Sequence, residues 1–239
     1  MSPPNWARCM RMRYTMKPNN LFEYSAIRGN FFIFQTAKNK EIRLPLDVVP
    51  ISYVLRLVPF IIPNNFTIKG SVSIQLACVK DTKDVKLHSK EIRIDNVNVL
   101  DALGNQKSIE GEELDSEREF LVVRMKESLL AGSNYTLAID FVSRLNEELS
   151  GFYRSTYSDH SGNEVLMATT QFEPTHARRA FPCFDEPALK ATFEISLGRT
   201  EGQVALSNMP IKEGMAGVKM YIHSSTPFIN HQSSIAAFI

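Results

Sequence analysis

The sequence has few cysteines, and it has no long apolar run. Its three cysteines, Cys9, Cys78 and Cys183, lie far apart and form no C-x-x-C pair. Neither a disulfide framework nor a zinc knuckle is therefore indicated, and small buried apolar side chains are the favoured interpretation. No apolar stretch is long enough to span a bilayer, and the longest one near the N-terminus is too short for a signal-peptide core.

An excess of charge of one sign is also absent. The 27 lysines and arginines nearly balance the 26 acidic residues, which leaves a net charge of +1. A nucleic-acid or polybasic membrane partner requires clustered positive charge, so the balance argues against both. With 239 residues, of which 44% are hydrophobic, the chain is long enough for one large domain or two small ones with a sizeable core.

Long helical periodicity is missing, and short period-two patterns occur instead. Tyr53, Leu55 and Leu57 share one face of SYVLRLV, and a second alternating run covers 68–78, with Gly70 near an expected bend. Further strands are predicted in DVKLHS, EIRIDNVNVLD, EFLVVRM, NYTLAIDFVSRL, EVLMATTQFE, ATFEISLG and VKMYIHSS. The acidic run EGEELDSERE is predicted to be a solvated loop.

Many short strands joined by Gly, Asn and Asp turns predict a mainly β fold, an antiparallel β-sandwich. Residues 1–40 show no periodicity and are predicted to be an irregular N-terminal extension. Residues 41–239 are predicted to form the β domain.

The most unusual segment is TTQFEPTHARRAFPCFDEPALKATF, residues 169–193. Its first part reads as a strand that Pro174 ends. Thr175 is predicted to cap a short helical turn in HARRAF, and Asp185 a second turn with Pro187 near its first position. Ala191 is predicted to begin the next strand. We refer to residues 174–190, between the two strands, as the elbow.

Two interpretations of this segment apply to different residues. Arg178 and Arg179 lie within reach of Asp185 and Glu186, and such pairing inside a proline-rich turn is favoured as architecture. Gln171 and Glu173 are two residues apart and therefore share one face at the end of a strand. A polar pair in this position is the candidate for a functional role.

Several blocks of the chain, from about Arg43 to Pro210, follow the order of one known family. They are RLPLDVVPISYVLRL, KDVKLHSKEIRI, LSGFYRSTY, TQFEPTHARRAFPCFDEPALKATFEISL and ALSNMP. Together they resemble the N-terminal domain of the gluzincin metallopeptidases known as zinc aminopeptidases, the aminopeptidase N, oxytocinase and puromycin-sensitive group. The resemblance implies a saddle-shaped β-sandwich that leans on a thermolysin-like catalytic domain. It also implies zinc as the cofactor of the parent enzyme and a peptide N-terminus as its ligand.

The same resemblance implies that Gln171 and Glu173 face the free amino terminus of a peptide substrate. An aminopeptidase cleaves one residue from the end, so a fixed negative site for the α-ammonium sets the register of the scissile bond. A buried Glu173 carboxylate is expected to accept a charge-assisted hydrogen bond, and the Gln171 amide oxygen to orient the same group or the first carbonyl. The alternative is a strand-end carboxylate with a purely structural role.

The residues that perform catalysis in this family are absent from the sequence. None of the five histidines begins an H-E-x-x-H motif, and the nearest imitation, His160-Ser-Gly-Asn-Glu164, has no second histidine. The G-A-M-E-N motif is missing too, because Gly214-Met215-Ala216-Gly217 shares only its composition. A metal site from His176, Cys183 and Asp185 is conceivable, but their spacing does not favour it. No catalytic or metal-binding residue is predicted, and the zinc-binding catalytic domain is expected to be absent from the chain.

The ends of the resemblance and two sequons give further expectations. HSSTPFINHQSSIAAFI resembles a family strand at the domain boundary, interrupted by Asn230, His231 and Gln232. A truncated product, a partial gene model or a short isoform is therefore expected. Asn65 and Asn134 begin Asn-x-Thr triplets, which are glycosylated only in a secretory compartment. The parent family is mostly plasma-membrane or extracellular, with cytoplasmic members as the alternative.

Two functional hypotheses follow. In the first, the chain supplies the amino-terminus subsite of a zinc aminopeptidase, while the metal and the general base come from other sequence. In the second, the chain is a catalytically inert short isoform, a β-sandwich that binds peptide termini weakly or pairs with a full-length relative.

Overall fold

The structure is a computed structural model, and it describes residues 41–200, 203–208, 211–214, 220–224 and 235–238, the last three ranges as backbone. Ile42–Ile239 forms one compact unit. The predicted extension over residues 1–40, Cys9, and the interruption at residues 230–232 lie outside the described residues. Among the described residues, no helix is both long enough and apolar enough to cross a membrane.

Strands make up most of the described chain, as the alternating patterns predict. In chain order they are β1 (Val48–Pro59), β2 (Thr67–Cys78), β3 (Thr82–His88), β4 (Arg93–Asp101), β5 (Gln106–Lys107), β6 (Ile109–Asp115), β7 (Phe120–Leu129), β8 (Asn134–Arg144), β9 (Gly151–Ser158), β10 (Glu164–Gln171), β11 (Thr192–Leu197), β12 (Val204–Ser207), β13 (Ile211–Gly214), β14 (Met220–Ser224) and β15 (Ile235–Phe238). The mainly β fold class is confirmed.

The described strands form three sheets. The largest has the order β13-β14-β11-β1-β2-β8-β4-β5, the second β12-β15-β10-β9, and the third β3-β7-β6. The pairing is antiparallel except between β1 and β11, which run parallel from Ser52 opposite Thr192 to Leu57 opposite Leu197. This pair is the one exception to the predicted antiparallel arrangement among the described strands. A parallel pair needs a long crossover, and the chain between the two strands provides it.

Alternation along the central strands places their apolar faces in one continuous core. Tyr53, Leu55 and Leu57 are at most 2% exposed, as predicted. Gly70, by contrast, marks no bend: it lies inside β2, and the ring of Phe141 occupies the space where a side chain would be. A Cβ atom at Gly70 would lie 2.2 Å from Phe141 Cζ.

The prediction that the acidic run EGEELDSERE is a solvated loop is wrong over its first part. Its first part is β6, an edge strand that pairs with β7 from Ile109 opposite Met125 to Asp115 opposite Phe120. Most side chains of β6 are exposed, so no alternation of apolar and polar residues indicates a strand. The loop is confined to the turn after β6, where Asp115 Oδ1 accepts hydrogen bonds from two backbone N–H groups. Strand β9, in which only the first two of eight side chains are buried, was not predicted for the same reason.

Candidate functional site

The elbow connects strands of two sheets and contacts the third. It begins after β10 of the four-stranded sheet and leads into β11 of the eight-stranded sheet. Its middle is attached to β3, the edge strand of the third sheet, by two reciprocal backbone hydrogen bonds. His88 N–H donates to Cys183 O at 2.8 Å, and Cys183 N–H donates to His88 O at 3.0 Å. The elbow is therefore positioned by all three sheets.

Both predicted turns of the elbow are present, but neither is capped as predicted. The first is a 3₁₀ turn, Ala177–Arg179, whose N-cap is His176 without a side-chain hydrogen bond, so Thr175 is not the cap. The second is a reverse turn in which Leu189 N–H donates to Glu186 O at 3.0 Å. Pro187 is its second residue, where the fixed φ of proline is favourable. The Asp185 carboxylate is directed to Arg178 instead.

Arg178 is the centre of a buried ionic network. Its side chain is 9% exposed and donates from Nε to Asp185 Oδ2 at 2.9 Å, and the Asp185 side chain is 3% exposed. Nη1 donates to Glu119 Oε2 at 3.0 Å, and Glu119 also pairs with Lys90. Burial raises the pKa of Glu119, but hydrogen bonds from Lys90 and Arg178 outweigh it and leave the pKa below its usual value. The predicted pairing is confirmed for Arg178 and Asp185.

Arg179 and Glu186 do not pair with each other or with Asp185. Arg179 Nη1 donates to the carboxylate of Glu148, while Glu186 accepts from Arg43 at 3.2 Å and from Leu44 N–H at 2.7 Å. Arg179 approaches the start of β9 closely, since a Cβ atom at Gly151 would lie 2.8 Å from Arg179 Cβ. With no side chain and a positive φ of 72°, Gly151 permits this approach.

His88, at the end of β3, contacts the elbow through its side chain. Its Nδ1 accepts a hydrogen bond from Asp185 N–H at 3.3 Å, and its ring meets Phe120 edge-on. Burial, together with the charge of Arg178, lowers the pKa of His88 to about 3. The imidazole is therefore neutral near pH 7 and carries its proton on Nε2. Sequence reasoning missed His88 and Glu119, because neither lies near the elbow in the chain and the block KDVKLHSKEIRI, which contains His88, suggests no contact with it.

The side of the elbow that packs against Tyr53 and Phe193 is aromatic and apolar. Tyr53 stacks on Phe193 with ring centroids 4.3 Å apart, and its hydroxyl accepts a hydrogen bond from Phe184 N–H at 3.1 Å. A cavity of about 70 Å³ lies among these rings. The Cys183 thiol is buried beside them, and burial raises its pKa well above the usual value, so it is not an activated nucleophile.

Gln171 and Glu173 lie at the entrance of the elbow and are exposed, on either side of Phe172, which is 7% exposed. This alternation agrees with their placement on one face. Gln171 is the last residue of β10 and lies opposite Gly151. The expected burial of Glu173 is wrong in this chain, because the carboxylate follows the strand end at the surface. No hydrogen bond or ion pair joins either side chain to another described residue.

A metal site is not formed by the described residues. Among the described residues, no three or more His, Cys, Asp or Glu side chains are arranged to hold a metal ion, so these residues do not fit the zinc of the family. Of the conceivable trio, Cys183 is buried and Asp185 is occupied by Arg178. His160 to Glu164 begins in the hairpin turn between β9 and β10, where Asp159 Oδ1 accepts from Ser161 N–H.

The two sequons differ in their surroundings. The Asn65 Oδ1 atom accepts a hydrogen bond from the Thr67 hydroxyl at 2.8 Å, within the tight turn before β2. Asn134 is exposed at the first position of β8. Glycosylation of either residue stays a prediction.

Comparison with known proteins identifies the family. Residues 49–227 match the model of the Peptidase M1 N-terminal domain. The chain belongs to the M1 aminopeptidase family. The resemblance inferred from the sequence blocks is thereby confirmed, including the assignment to the N-terminal domain of this metallopeptidase family.

Over the aligned region, curated relatives in the M1 family are about 40% identical to this chain. Aminopeptidase N of Canis lupus familiaris is 40% identical over 176 residues, which are 70% of this chain and 18% of that protein. The thyrotropin-releasing hormone-degrading ectoenzyme of Homo sapiens is 39% identical over 173 residues, 72% of this chain and 16% of that protein. Aminopeptidase M1 of Arabidopsis thaliana is 44% identical over 180 residues, 72% and 20% respectively. The chain therefore spans a fifth or less of the length of these relatives.

Proposed function

We propose that this chain acts as the N-terminal domain of a zinc-dependent aminopeptidase and supplies the subsite for the free amino terminus of a peptide. In this proposal the zinc ion and the general base are provided by a thermolysin-like catalytic domain outside the 239 residues. The family assignment supports the general role, as does the much greater length of the relatives.

The observation that carries the proposal is the exposed pair Gln171 and Glu173. Polar side chains on both sides of the buried Phe172 present two acceptors on one face, next to an elbow fixed by a buried ionic network. Residues two apart in an extended chain are about 6–7 Å apart, so both side chains can reach one ammonium group. Neither acceptor is occupied by another described residue.

The chemistry of the pair matches a protonated amine. An α-ammonium has three N–H donors and a positive charge, and the Glu173 carboxylate is the complementary charged acceptor. The Gln171 amide oxygen adds a neutral acceptor that fixes the direction of the group. Because Glu173 is exposed in this chain, its ion pair with an amine is screened by solvent. We therefore expect weak binding by the 239 residues alone.

A titration of the ¹⁵N-labelled chain with a short peptide tests the proposal. A peptide with a free amino terminus is expected to shift the resonances of Gln171 and Glu173, and its N-acetylated form is not. Glu173→Gln is expected to weaken binding by about two- to fivefold, the effect of losing one exposed ion pair.

Glu164→Gln is the matched control, because Glu164 is an exposed acid at the other end of β10. It is expected to bind like the unaltered chain. Equal shifts with the acetylated peptide, or equal weakening by both substitutions, would contradict a specific amine subsite.

A further inference from the structure

A second, polar pocket lies beside the elbow and includes neither Gln171 nor Glu173. Its volume is about 300 Å³, and it is lined by three arginines, Arg144, Arg154 and Arg179, together with Glu91, Glu147 and Phe66. The pocket is formed where the end of β8, the start of the β8–β9 connection, strand β9 and the 3₁₀ turn meet. None of the chemistry proposed for the amine subsite uses it.

The charges in this pocket are sorted by depth. The side chain of Arg179 is 12% exposed and that of Arg154 is 28% exposed. The acids that pair with them lie at the rim: Glu147 is 72% exposed, and Glu91 and Glu148 are each 64% exposed. Solvent screens the rim carboxylates more than the buried guanidinium groups. The interior of the pocket is therefore positive.

Hydrogen-bond donors in the pocket are left unused. Arg179 Nε is buried and has no acceptor among the described residues. Glu91 Oε1 is 3.8 Å from Arg179 Nη2, which is too long for a hydrogen bond, so Nη2 can still donate to a further acceptor. Arg144, at the exposed end of β8, has no ion pair with any described residue. The guanidinium groups of Arg179 and Arg144 can thus each donate a hydrogen bond to a further partner.

Arg154 is held in place rather than left free. Its guanidinium stacks over the Phe66 ring, with the Cζ atom 3.8 Å from the ring centroid, and pairs with Glu147. Such stacking keeps the planar group in one orientation. The pocket therefore has a fixed positive wall in addition to the two groups with unused donors.

From these observations we propose that the pocket binds a small oxyanion, a phosphate or carboxylate group. The Nη2 group of Arg179 and the guanidinium of Arg144 are its donors. A guanidinium edge presents two parallel N–H groups that match two oxygens of such an anion, and the hydrogen bonds are charge-assisted. The volume leaves space for an organic group attached to the anion. This proposal is independent of the amine subsite, because it involves another pocket and the opposite ligand charge.

Inorganic phosphate is the first probe, titrated into the 239-residue chain at constant ionic strength and followed by calorimetry and by the arginine Nε–H resonances. Saturable binding is expected, together with a shift of the Arg179 Nε–H resonance. Succinate is the second probe. Tighter binding of phosphate assigns the site to phosphate-bearing ligands, and tighter binding of succinate to carboxylates.

Three variants test the assignment. Arg179→Met keeps the length of the side chain and is expected to raise the Kd by about tenfold, the loss of one charge-assisted hydrogen bond. Arg144→Met is expected to weaken binding in the same direction, and because Arg144 is exposed it tests the proposal even if Arg179→Met does not fold. Arg124→Met, at a 53% exposed arginine on β7 outside the pocket, is expected to leave the Kd unchanged.

If neither phosphate nor succinate binds saturably, the pocket holds only water, and this result would overturn the proposal. Equal weakening by Arg144→Met and Arg124→Met would do the same, since it indicates general attraction to positive charge. Neither outcome affects the peptide titration with free and acetylated amino termini.

Discussion

Gly70 is the residue at which the core leaves least room. The Phe141 ring, 1% exposed, fills the space next to it, and a methyl group at Gly70 would overlap three atoms of the ring at 2.2–2.8 Å. Gly70→Ala is therefore expected to lower the free energy of unfolding by about 1–3 kcal/mol, the usual cost of overpacking. Urea denaturation measures this difference.

Gly111→Ala is the matched control for that substitution. Gly111 lies in the edge strand β6, and a Cβ atom there has no neighbour within 4 Å. We expect its free energy of unfolding to change by less than about 0.5 kcal/mol. Equal destabilisation by both variants would show that strand glycines matter here for their backbone and not for the space beside Phe141.

His88 is expected to make the stability depend on pH. In the folded chain its pKa is lowered to about 3, whereas an unfolded histidine titrates near pH 6.5. Below pH 6.5 the unfolded chain therefore binds a proton that the folded chain does not. The free energy of unfolding therefore has its full value above pH 6.5 and decreases by about 1.4 kcal/mol per pH unit as the pH falls toward 3.

Urea denaturation between pH 6.5 and 5 measures this slope above the range in which most carboxylates titrate. His88→Gln is expected to remove it, and His160→Gln, at an exposed turn histidine, to retain it. A slope that persists in His88→Gln would assign the pH dependence to other groups.

At the scale of elements, the elbow depends on the pair between its two turns. Arg178 and Asp185 are almost fully buried, so removing one charge leaves the other without its main partner. Arg178→Met is expected to destabilise the chain by about 3–5 kcal/mol. Arg124→Met, which breaks exposed pairs of β7 with Glu113 and Asp84, is expected to cost at most about 1 kcal/mol. Thermal or urea unfolding compares the two, and equal losses would contradict a special role of the buried pair.

The elements differ in how well the sequence predicts them. Strands such as β1 and β2 bury every second side chain, and the alternation indicates them directly. Strand β6 is exposed along most of its length, so its sequence carries no such signal, and only the hydrogen bonds of β7 define it. In the elbow, proline positions predicted the turns and the local sequence predicted the pair Arg178 and Asp185, but the partners of Arg179 and Glu186 lie 31 and 143 positions away. Such partners follow from packing and not from local sequence.

At the scale of the whole molecule, the 239 residues are expected to show no zinc-dependent hydrolysis of an aminoacyl-anilide substrate. The reason lies in the sequence, which contains no H-E-x-x-H motif to supply two metal ligands and a general base. The assay compares the purified chain with and without added Zn²⁺. Metal-dependent turnover that persists after contaminating peptidases are removed would contradict this expectation.

The family and the mainly β fold were both predictable from ordered sequence blocks and from strand alternation, and both are confirmed. The crossing of β11 back to β1 was not predictable, because no local pattern specifies which distant strand becomes a neighbour. The roles of Gln171 and Glu173 stay a prediction, since their exposure in this chain shows that they are accessible and not what they bind.

The parallel pairing of β1 with β11 has a consequence for the order in which the protein is made. The second neighbour of β1 is formed by residues 192–197, and Ser52 lies opposite Thr192. The ribosome therefore adds this neighbour about 140 residues after it has made β1. Until then β1 has only β2 beside it, and one row of its backbone N–H and C=O groups is unpaired. A nascent chain released before residue 197 would thus expose the unpaired edge of β1, which can pair with another chain and which β11 covers in the completed chain.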